Sequence, residues 1–300
     1  MIPSLAARHS WFEATARKRV AGLLDPGSFV EILPPAESSP SPHLAKLDLP
    51  GAFDDGIVIG YGQLEKKPIF VAAQEGQFIG GAVGEIHGAK LVGLLKRAAR
   101  EKPAAVLLLI DSGGVRLHEA NAGLIAISEI MRAVLATRAA GVPVLALIGG
   151  SCGAFGGMGI VAKLCSAIII SEEGRLALSG PEVIETVAGV EEFDSKDRAL
   201  VWRVTGGKHR YLMGDCAALV EDDIPAFRAG AAEFLAAWSE PVPSVGQLRA
   251  SQQTLENRLA AYATFRDGLQ VWAALGVAQP ESVPMLDRDS LVALKEGLPT

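Results

Sequence analysis

The chain has 300 residues, enough for a substantial core, and its net charge of −6 argues against nucleic acid or anionic membrane as a partner. No apolar run approaches the ~18 residues of a membrane-spanning helix, and the N-terminus shows no secretory signal. Three cysteines without tight spacing are typical of reduced thiols, so the composition predicts a cytoplasmic protein.

Residues 1–55 are predicted to form a helix and a proline-rich loop. Ser10 and Glu13 have the spacing of a capping box, which predicts a helix that continues to about Leu24. Proline recurs through residues 34–56, and such a composition is typical of a loop.

Residues 56–240 are predicted to form an α/β core. The stretches IVIGYGQL and PIFVAAQ predict two strands, and AKLVGLLKRAAR predicts an amphipathic helix. The apolar runs AAVLLLI and VPVLALI have the length of strands, and a segment of helix length separates them. This β-α-β pattern predicts a mostly parallel sheet whose strands are buried on both faces. SAIIIS and RLALS predict further strands, and PEVIETVA predicts a helix with proline in its first turn.

Residues 241–300 are predicted to form a C-terminal helical extension. The stretch SEPVPSVG has the composition of a linker. One long helix is predicted beyond it, from about Gln247 to Leu275.

Two glycine clusters follow the two central strands, in the sequences DSGGVRLHE and GGSCGAFGGMG. Because the carboxyl ends of parallel strands meet at one edge of a sheet, the two clusters are expected to converge there. The second cluster leads into GIVAKLC, so its amides are expected at a helix N-terminus, which favours negative charge. Two such sets of amides could stabilise one oxyanion, and glycine leaves room for a substrate carbonyl. The alternative is that both clusters are packing devices.

Other chemistries have weaker support in the sequence. Neither cluster has the spacing of a phosphate-binding loop, and no histidine, cysteine or carboxylate spacing predicts a metal site. A nucleophile among Ser112, Ser151 and Cys152 needs a positioned base, and the sequence does not place a histidine beside them. Glu85, His87 and Lys90 either line the same cleft or belong to a solvated first helical turn.

The chain resembles the carboxyltransferase branch of the crotonase superfamily through GGAVGEIHGAK, DSGGVRLHEAN and SGPEVIETV. The stretches VWRVTGGKHRYLMGDCAALVEDD and GGSCGAFGGMG narrow the resemblance to beta subunits of biotin-independent malonate decarboxylases. The resemblance covers roughly residues 15 to 240. It implies an α/β fold of the crotonase type, a spiral of β-β-α units with helices packed on the sheet.

The resemblance also implies an activity and partners. The enzyme would decarboxylate a malonyl thioester to the acetyl thioester on an acyl carrier protein, whose arm is a phosphoribosyl-dephospho-coenzyme A group. A homologous gamma subunit would complete the active site, and an alpha transferase subunit would load malonate onto the arm. The family implies no biotin, no metal and no directly bound cofactor.

Site residues follow from the resemblance by position. Gly113 and Gly114 correspond to the first oxyanion hole, and Gly156 and Gly157 to the second, although an ungapped register moves the second to Phe155 and Gly156. The positions assigned to substrate binding are Phe155, Val115, Gly80, Gly81 and His87.

Three alternatives remain at this point. A biotin-dependent acyl-CoA carboxyltransferase subunit would share the fold and the thioester site. A ClpP-like serine peptidase would need a serine in or near GAFGG, and that stretch has none. A non-catalytic scaffold subunit would leave the glycine clusters without a chemical role.

Overall fold

The structure is a computed structural model that describes residues 9–37, 39–48, 52–119, 121–239, 241 and 244–298. A seven-stranded sheet runs through it in the order β1 to β7. The first three strands are antiparallel neighbours, and the pairs from β3 to β7 are parallel. The strands are β1 (Val30–Ile32), β2 (Ile57–Leu64), β3 (Lys67–Gln74), β4 (Ala105–Ile110), β5 (Val144–Ile148), β6 (Ala167–Ser171) and β7 (Ala218–Val220).

Helices cover both faces of the sheet, as the unbroken apolar runs of β4 and β5 require. Alternate residues of β4 enter two separate cores, one beneath α2 and α3 and the other beneath α1 and α8. The helices are α1 (Ala16–Leu23), α2 (Glu85–Glu101), α3 (Ala122–Ala139), α4 (Gly157–Leu164), α5 (Pro181–Ala188), α6 (Arg198–Thr205), α7 (Gly207–Leu212), α8 (Ile224–Ala237), α9 (Val245–Tyr262), α10 (Gly268–Ala274) and α11 (Arg288–Glu296). None of the helices in the described residues combines the length and the hydrophobicity needed to cross a membrane.

Short parallel bridges between the strand ends and the helices give the fold its spiral character. Val83 pairs with Val115, Ser112 with Ala154, and Ala154 with Leu176. Each turn of the chain therefore runs from a strand through a bridge segment into a helix. The predicted strand RLALS is wrong as a strand of the main sheet, because this segment forms only isolated bridges.

Two predicted helices differ from the observed ones. The Ser10 hydroxyl accepts a hydrogen bond from the Glu13 amide, as in a capping box. It also donates a hydrogen bond to Asp222, and no helix starts at Ser10. Helix α1 begins later, where the Thr15 side chain caps it. The single long helix predicted for the tail is two helices, α9 and α10, because the Asp267 side chain caps a new helix at Gly268.

Packing runs across both of the predicted domain boundaries. Trp11 and Leu23, from the N-terminal segment, lie in the core beneath α1 and α8. Trp272, Val283 and Leu291, from the C-terminal segment, lie in the other core. The division at residues 55 and 240 therefore stays a prediction about domains, while the hydrophobic cores are shared across it.

A buried ion pair joins α1 to the carboxyl end of β4. Arg19 Nη1 lies 2.8 Å from Asp111 Oδ2, and each side chain is 2% exposed. Arg19 also donates to the carbonyl of Trp11, and the other carboxylate oxygen of Asp111 accepts the Cys152 amide at 2.7 Å. A Cβ on Gly150 would lie 2.1 Å from the Asp111 carboxyl carbon, so the second glycine cluster wraps directly around this carboxylate.

We expect Arg19→Ala to lower the free energy of unfolding by about 3–5 kcal/mol, because it leaves the Asp111 carboxylate buried without a countercharge. Urea denaturation checks this. Arg132→Ala is the matched control, since Arg132 is 77% exposed and pairs with Glu129 at the surface. The control should change stability by less than ~1 kcal/mol. Equal effects in the two variants would contradict the role given to the buried pair.

Candidate active site

The two glycine clusters meet at one edge of the sheet. Because β4 and β5 are parallel neighbours, the loops that follow them start side by side. The Ser112 amide donates to the Gly153 carbonyl at 2.7 Å, and the Phe155 amide donates to the Ser112 carbonyl at 3.0 Å. A Cβ placed on Gly156 would lie 3.3 Å from the Gly114 Cα atom. The predicted convergence of the clusters is therefore confirmed.

Three of the four glycine amides assigned to the oxyanion holes already donate within the chain. The Gly113 amide donates to the Gly80 carbonyl at 2.9 Å, and the Gly156 amide to the Leu178 carbonyl at 2.8 Å. The Gly114 amide donates to the Ser112 hydroxyl at 3.2 Å. These bonds fix the shape of the loops, and they leave those three amides without a hydrogen for a substrate.

The Val115 and Gly157 amides are the ones that remain available beside the contact between the loops. Neither has a hydrogen-bond acceptor among the described residues. Val115 directly follows Gly114, and Gly157 is the first residue of α4. The helix start adds its partial positive charge to the Gly157 amide. Val115 and Gly157 directly follow Gly114 and Gly156, so the two amides come from the two sides of the contact between the loops.

Glycine is required at the contact itself. Gly114 has φ of +137° and Gly156 has φ of +57°, a region that L side chains rarely adopt. Space around Gly114 is open, because a Cβ there would meet no atom within 4 Å. The loop conformation at this contact therefore requires glycine, and a group of the size of a Cβ atom would fit at Gly114.

The positions assigned to substrate binding divide into two groups. Gly80, whose carbonyl holds Gly113, borders open space. Gly81 is a packing position, since a Cβ there would lie 1.7 Å from the Asp111 carbonyl oxygen. The Phe155 ring is buried beneath the loop, with the guanidinium carbon of Arg175 5.5 Å from its centroid.

The prediction that His87 binds substrate is wrong, because its side chain is fully buried. Its ring nitrogens lie 3.1 Å from the Gln74 amide nitrogen and 3.1 Å from the Asp55 carbonyl oxygen. Burial, and secondarily the charge of Arg116, lowers the pKa of His87 to about 3. The ring is therefore a neutral core group at physiological pH.

Residues around His87 form a buried polar network that supports the loop after β4, which contains the first glycine cluster. Lys90 pairs with Asp55 at 3.1 Å, and Arg116 pairs with Glu119 at 3.0 Å. The Glu119 carboxylate accepts the amide of Glu85 at 2.6 Å. His87 and Lys90 are therefore core residues, whereas Glu85 is partly exposed and lines a surface cavity together with Gly88 and Ala89.

The geometry does not support a nucleophile. The Ser112 hydroxyl is buried and is occupied by the Gly114 backbone. Cys152 Sγ lies 3.3 Å from the Gly76 carbonyl, and burial, followed by the charge of Asp111, raises the pKa of its thiol. Among the described residues, no histidine hydrogen-bonds Ser112, Ser151 or Cys152. No group of three or more possible metal ligands occurs in that same part of the chain.

Comparison with known proteins identifies the family. The sequence pattern of the carboxyl transferase domain matches residues 8–252, well over half of the chain. The chain belongs to the carboxyl transferase domain family. Malonyl-S-ACP:biotin-protein carboxyltransferase MADC of Malonomonas rubra is 43% identical to it over 307 residues, which cover 96% of both chains.

Two solved structures resemble this chain. A Pseudomonas malonate decarboxylase hetero-tetramer in complex with malonate contains a chain with 40% identity and a TM-score of 0.80, covering 88% of this chain and 96% of that one. A Pseudomonas malonate decarboxylase MdcD-MdcE hetero-dimer contains one with 38% identity and a TM-score of 0.66, covering 83% and 96%. The crotonase-type α/β fold and the resemblance to malonate decarboxylases are confirmed.

We expect His87→Gln to reduce the pH dependence of the free energy of unfolding of this protein. Below the unfolded-state pKa of about 6.5, the unfolded chain binds a proton that the buried ring refuses. The free energy of unfolding therefore decreases as the pH falls, by up to ~1.4 kcal/mol per pH unit for each such histidine. His209, whose pKa burial also lowers to about 3, contributes in the same direction.

Urea denaturation between pH 7 and pH 5 measures this slope. In the His87→Gln variant, His209 should be the only one of these two buried histidines that still contributes to the slope of the free energy of unfolding against pH. His118→Gln, the same substitution at an exposed side chain, is the matched control. A His87→Gln slope equal to that of the wild type would show that the buried ring accepts a proton after all.

Proposed function

We propose that the chain is the component of a decarboxylase that converts a malonyl thioester on an acyl carrier protein to the acetyl thioester. The observation that supports this most directly is the pair of unbonded amides at Val115 and Gly157. They flank the contact between two loops of a carboxyl transferase fold. The similarity to chains in two malonate decarboxylase structures points to the same substrate.

The chemistry needs little more than these donors. When CO₂ leaves, the electron pair of the broken carbon–carbon bond passes into an enolate, whose negative charge collects on the thioester oxygen. A proton then adds to the carbon that lost the carboxylate. Amides already oriented toward that oxygen stabilise the enolate more than the substrate, and each can lower the barrier by about 3 kcal/mol.

The assigned glycines retain a role in this proposal. Gly113, Gly114, Gly156 and the carbonyl of Gly80 hold the loop geometry through their own hydrogen bonds. Val115 takes over as donor in the first hole, and Gly157 remains the donor in the second. Open space at Gly114 is where the thioester would approach. Residues 56–240, which contain both loops, would form the acyl-thioester-binding unit.

The malonyl group would arrive on the phosphoribosyl-dephospho-coenzyme A arm of an acyl carrier protein. The chain itself would need neither biotin nor a metal nor a directly bound cofactor. An alpha transferase subunit would load the arm. Three free cysteines agree with a cytoplasmic location for this system.

A homologous gamma subunit would cover the open side of the site. Large apolar side chains are exposed near the loops, including Leu117 at 86% and Leu178 at 66%. Helix α5 adds Val183 and Val187, which are 55% and 84% exposed. A patch of this kind is typical of a protein interface. The two similar structures are themselves hetero-oligomers.

Carboxyl transfer to a biotin protein is the second candidate, because the Malonomonas rubra relative is named as a carboxyltransferase of that kind. Both reactions would use the same enolate. They differ in whether CO₂ is released or is taken up by biotin.

Release of CO₂ from malonyl-carrier protein distinguishes the two. We expect the complex of this chain with a gamma-like subunit to release CO₂ and form the acetyl thioester without any biotinylated protein. The isolated chain should be inactive, since it supplies only one side of the cleft. Turnover that depends on an added biotin protein would favour the second candidate, and full activity of the isolated chain would contradict the two-subunit site.

The contact between the loops can be tested with two neighbouring glycines. Gly114→Val fills the open space and places a branched residue at φ of +137°, so we expect turnover to fall at least ~100-fold. Gly113→Ala is the control, because its Cβ would lie 3.5 Å from the Gly80 carbonyl, an ordinary contact. Initial rates, thermal melting and assembly with the partner are measured for both. Near-normal turnover in a folded, assembled Gly114→Val complex would refute the assignment.

A further inference from the structure

Arg175 is a partly buried cation beside the second glycine loop, and it lies in the segment that pairs with this loop. Its side chain lies between two aromatic rings. The guanidinium carbon is 5.5 Å from the ring centroid of Phe155 and 4.7 Å from that of Trp202. Its Nη2 group donates a hydrogen bond to the Ser151 carbonyl. Among the described residues, no carboxylate forms an ion pair with Arg175.

Stability alone does not account for an arginine at this position. A charge withdrawn from water without a countercharge costs free energy, whereas an apolar side chain of similar length would fill the space between the rings without that cost. Burial accordingly lowers the pKa of the Arg175 guanidinium. Its Nε atom is buried and has no acceptor among the described residues. An apolar side chain could not replace the planar guanidinium, which stacks on both rings and donates a hydrogen bond from its edge.

The contacts of Arg175 reach the residues just before the Gly157 amide. The Arg175 carbonyl accepts a hydrogen bond from the Ala154 amide at 2.8 Å. The Phe155 ring packs against the guanidinium, and the Phe155 carbonyl accepts the hydrogen bond of the Gly159 amide at 3.3 Å, in the first turn of α4. Gly157 is the first residue of this helix. The direction of its N–H therefore depends on where Phe155 is held.

The second loop fits closely against the segment that carries Arg175. A Cβ on Gly153 would lie 2.9 Å from the Arg175 carbonyl oxygen and 2.9 Å from the Phe155 ring. On its other side, Arg175 forms an antiparallel bridge with Gly206, which lies between α6 and α7. Arg175 thus links the loop to a part of the fold that is distant in sequence.

We propose that Arg175 is a positioning residue for the second oxyanion donor. By holding Ser151 and Phe155, it keeps the Gly157 N–H directed at the place beside Gly114 where the thioester oxygen would lie. The inference rests on the proposed function, because the direction of this amide matters only if it stabilises an oxyanion. Arg175 acts through the loop and touches no reacting atom.

Steady-state decarboxylation by the complex of this chain with the gamma-like subunit tests the role. In Arg175→Met, kcat should fall about tenfold or more while KM changes less than ~3-fold, because a misdirected amide weakens the transition state more than the bound substrate. Arg175→Lys keeps the charge but not the planar fork, so its kcat should stay within about threefold of the Arg175→Met value. Unchanged kcat in Arg175→Met, or wild-type kcat in Arg175→Lys, would overturn the proposal.

Arg97→Met is the matched control for removing a stacked arginine. The Arg97 guanidinium carbon also lies between two rings, 5.3 Å from the centroid of Tyr61 and 5.4 Å from that of Phe70. It differs in having a countercharge, since it pairs with Glu101 at 2.7 Å. None of these partners belongs to the glycine loops, so kcat should equal that of the wild type. A loss of kcat as large as that of Arg175→Met would contradict a specific role for Arg175.

Hydrogen–deuterium exchange tests the hold on the loop without relying on activity. The Ala154 and Gly156 amides donate to the Arg175 and Leu178 carbonyls, which protects them from exchange. In Arg175→Met, exchange in residues 151–157 should be about tenfold faster, while the strands of the sheet exchange as in the wild type. Arg97→Met should leave exchange in residues 151–157 unchanged.

The exchange result separates this inference from the proposed function. Unchanged exchange in residues 151–157 of Arg175→Met would overturn the positioning role, even if the wild-type complex decarboxylates malonyl thioesters. Faster exchange throughout the chain would also overturn it, because the variant would then be destabilised as a whole. Faster exchange confined to the loop, in a wild-type background that releases no CO₂, would support the hold by Arg175 and contradict the proposed function instead.

Discussion

The ion pair between Arg19 and Asp111 is the contact on which the candidate site depends. Asp111 directly follows β4 and precedes the first glycine loop, while its carboxylate accepts a hydrogen bond from the Cys152 amide at the start of the second. One side chain therefore sets the spacing of both loops. Because the carboxylate is buried, it needs the guanidinium of Arg19 from α1 as its countercharge. The N-terminal helix thus contributes to the site without approaching it.

Catalysis by backbone amides makes strict demands on the surrounding structure. A side chain can adjust its rotamer, whereas an amide is aimed only as well as its loop is held. The hydrogen bonds of Gly113, Gly114 and Gly156 provide that hold from within the loops. The buried ion pair between Arg116 and Glu119 also holds the first loop in place, because Arg116 directly follows Val115. Under the proposed function, the polar interior of this region supports the unbonded amides of Val115 and Gly157.

Sequence patterns predicted the five strands β2 to β6 and the meeting of the glycine loops, because apolar runs and parallel strand order are local and topological properties. They did not predict the three-residue strands β1 and β7, which are too short to give a pattern. They did not predict which amides are free, since Gly113 and Gly114 are bonded to partners that only folding brings near. His87 follows a glycine-rich turn, as a cleft residue could, yet it faces the core. Ser10 has the spacing of a capping box with Glu13, but its hydroxyl donates a hydrogen bond to Asp222, which is distant in sequence. In each case a long-range contact decided between local alternatives.

The position of the site also bears on assembly. The loops lie at a sheet edge where Gly114 and Gly80 border open space, and an oxyanion in bulk water gains little from two amides. Excluding water requires a second wall, which the described residues of this chain do not supply at that edge. The apolar side chains of Leu117 and Leu178 flank the opening and would be costly to leave exposed. A single partner surface would satisfy both requirements, so the same contact that buries the patch would also strengthen the electrostatics of the site.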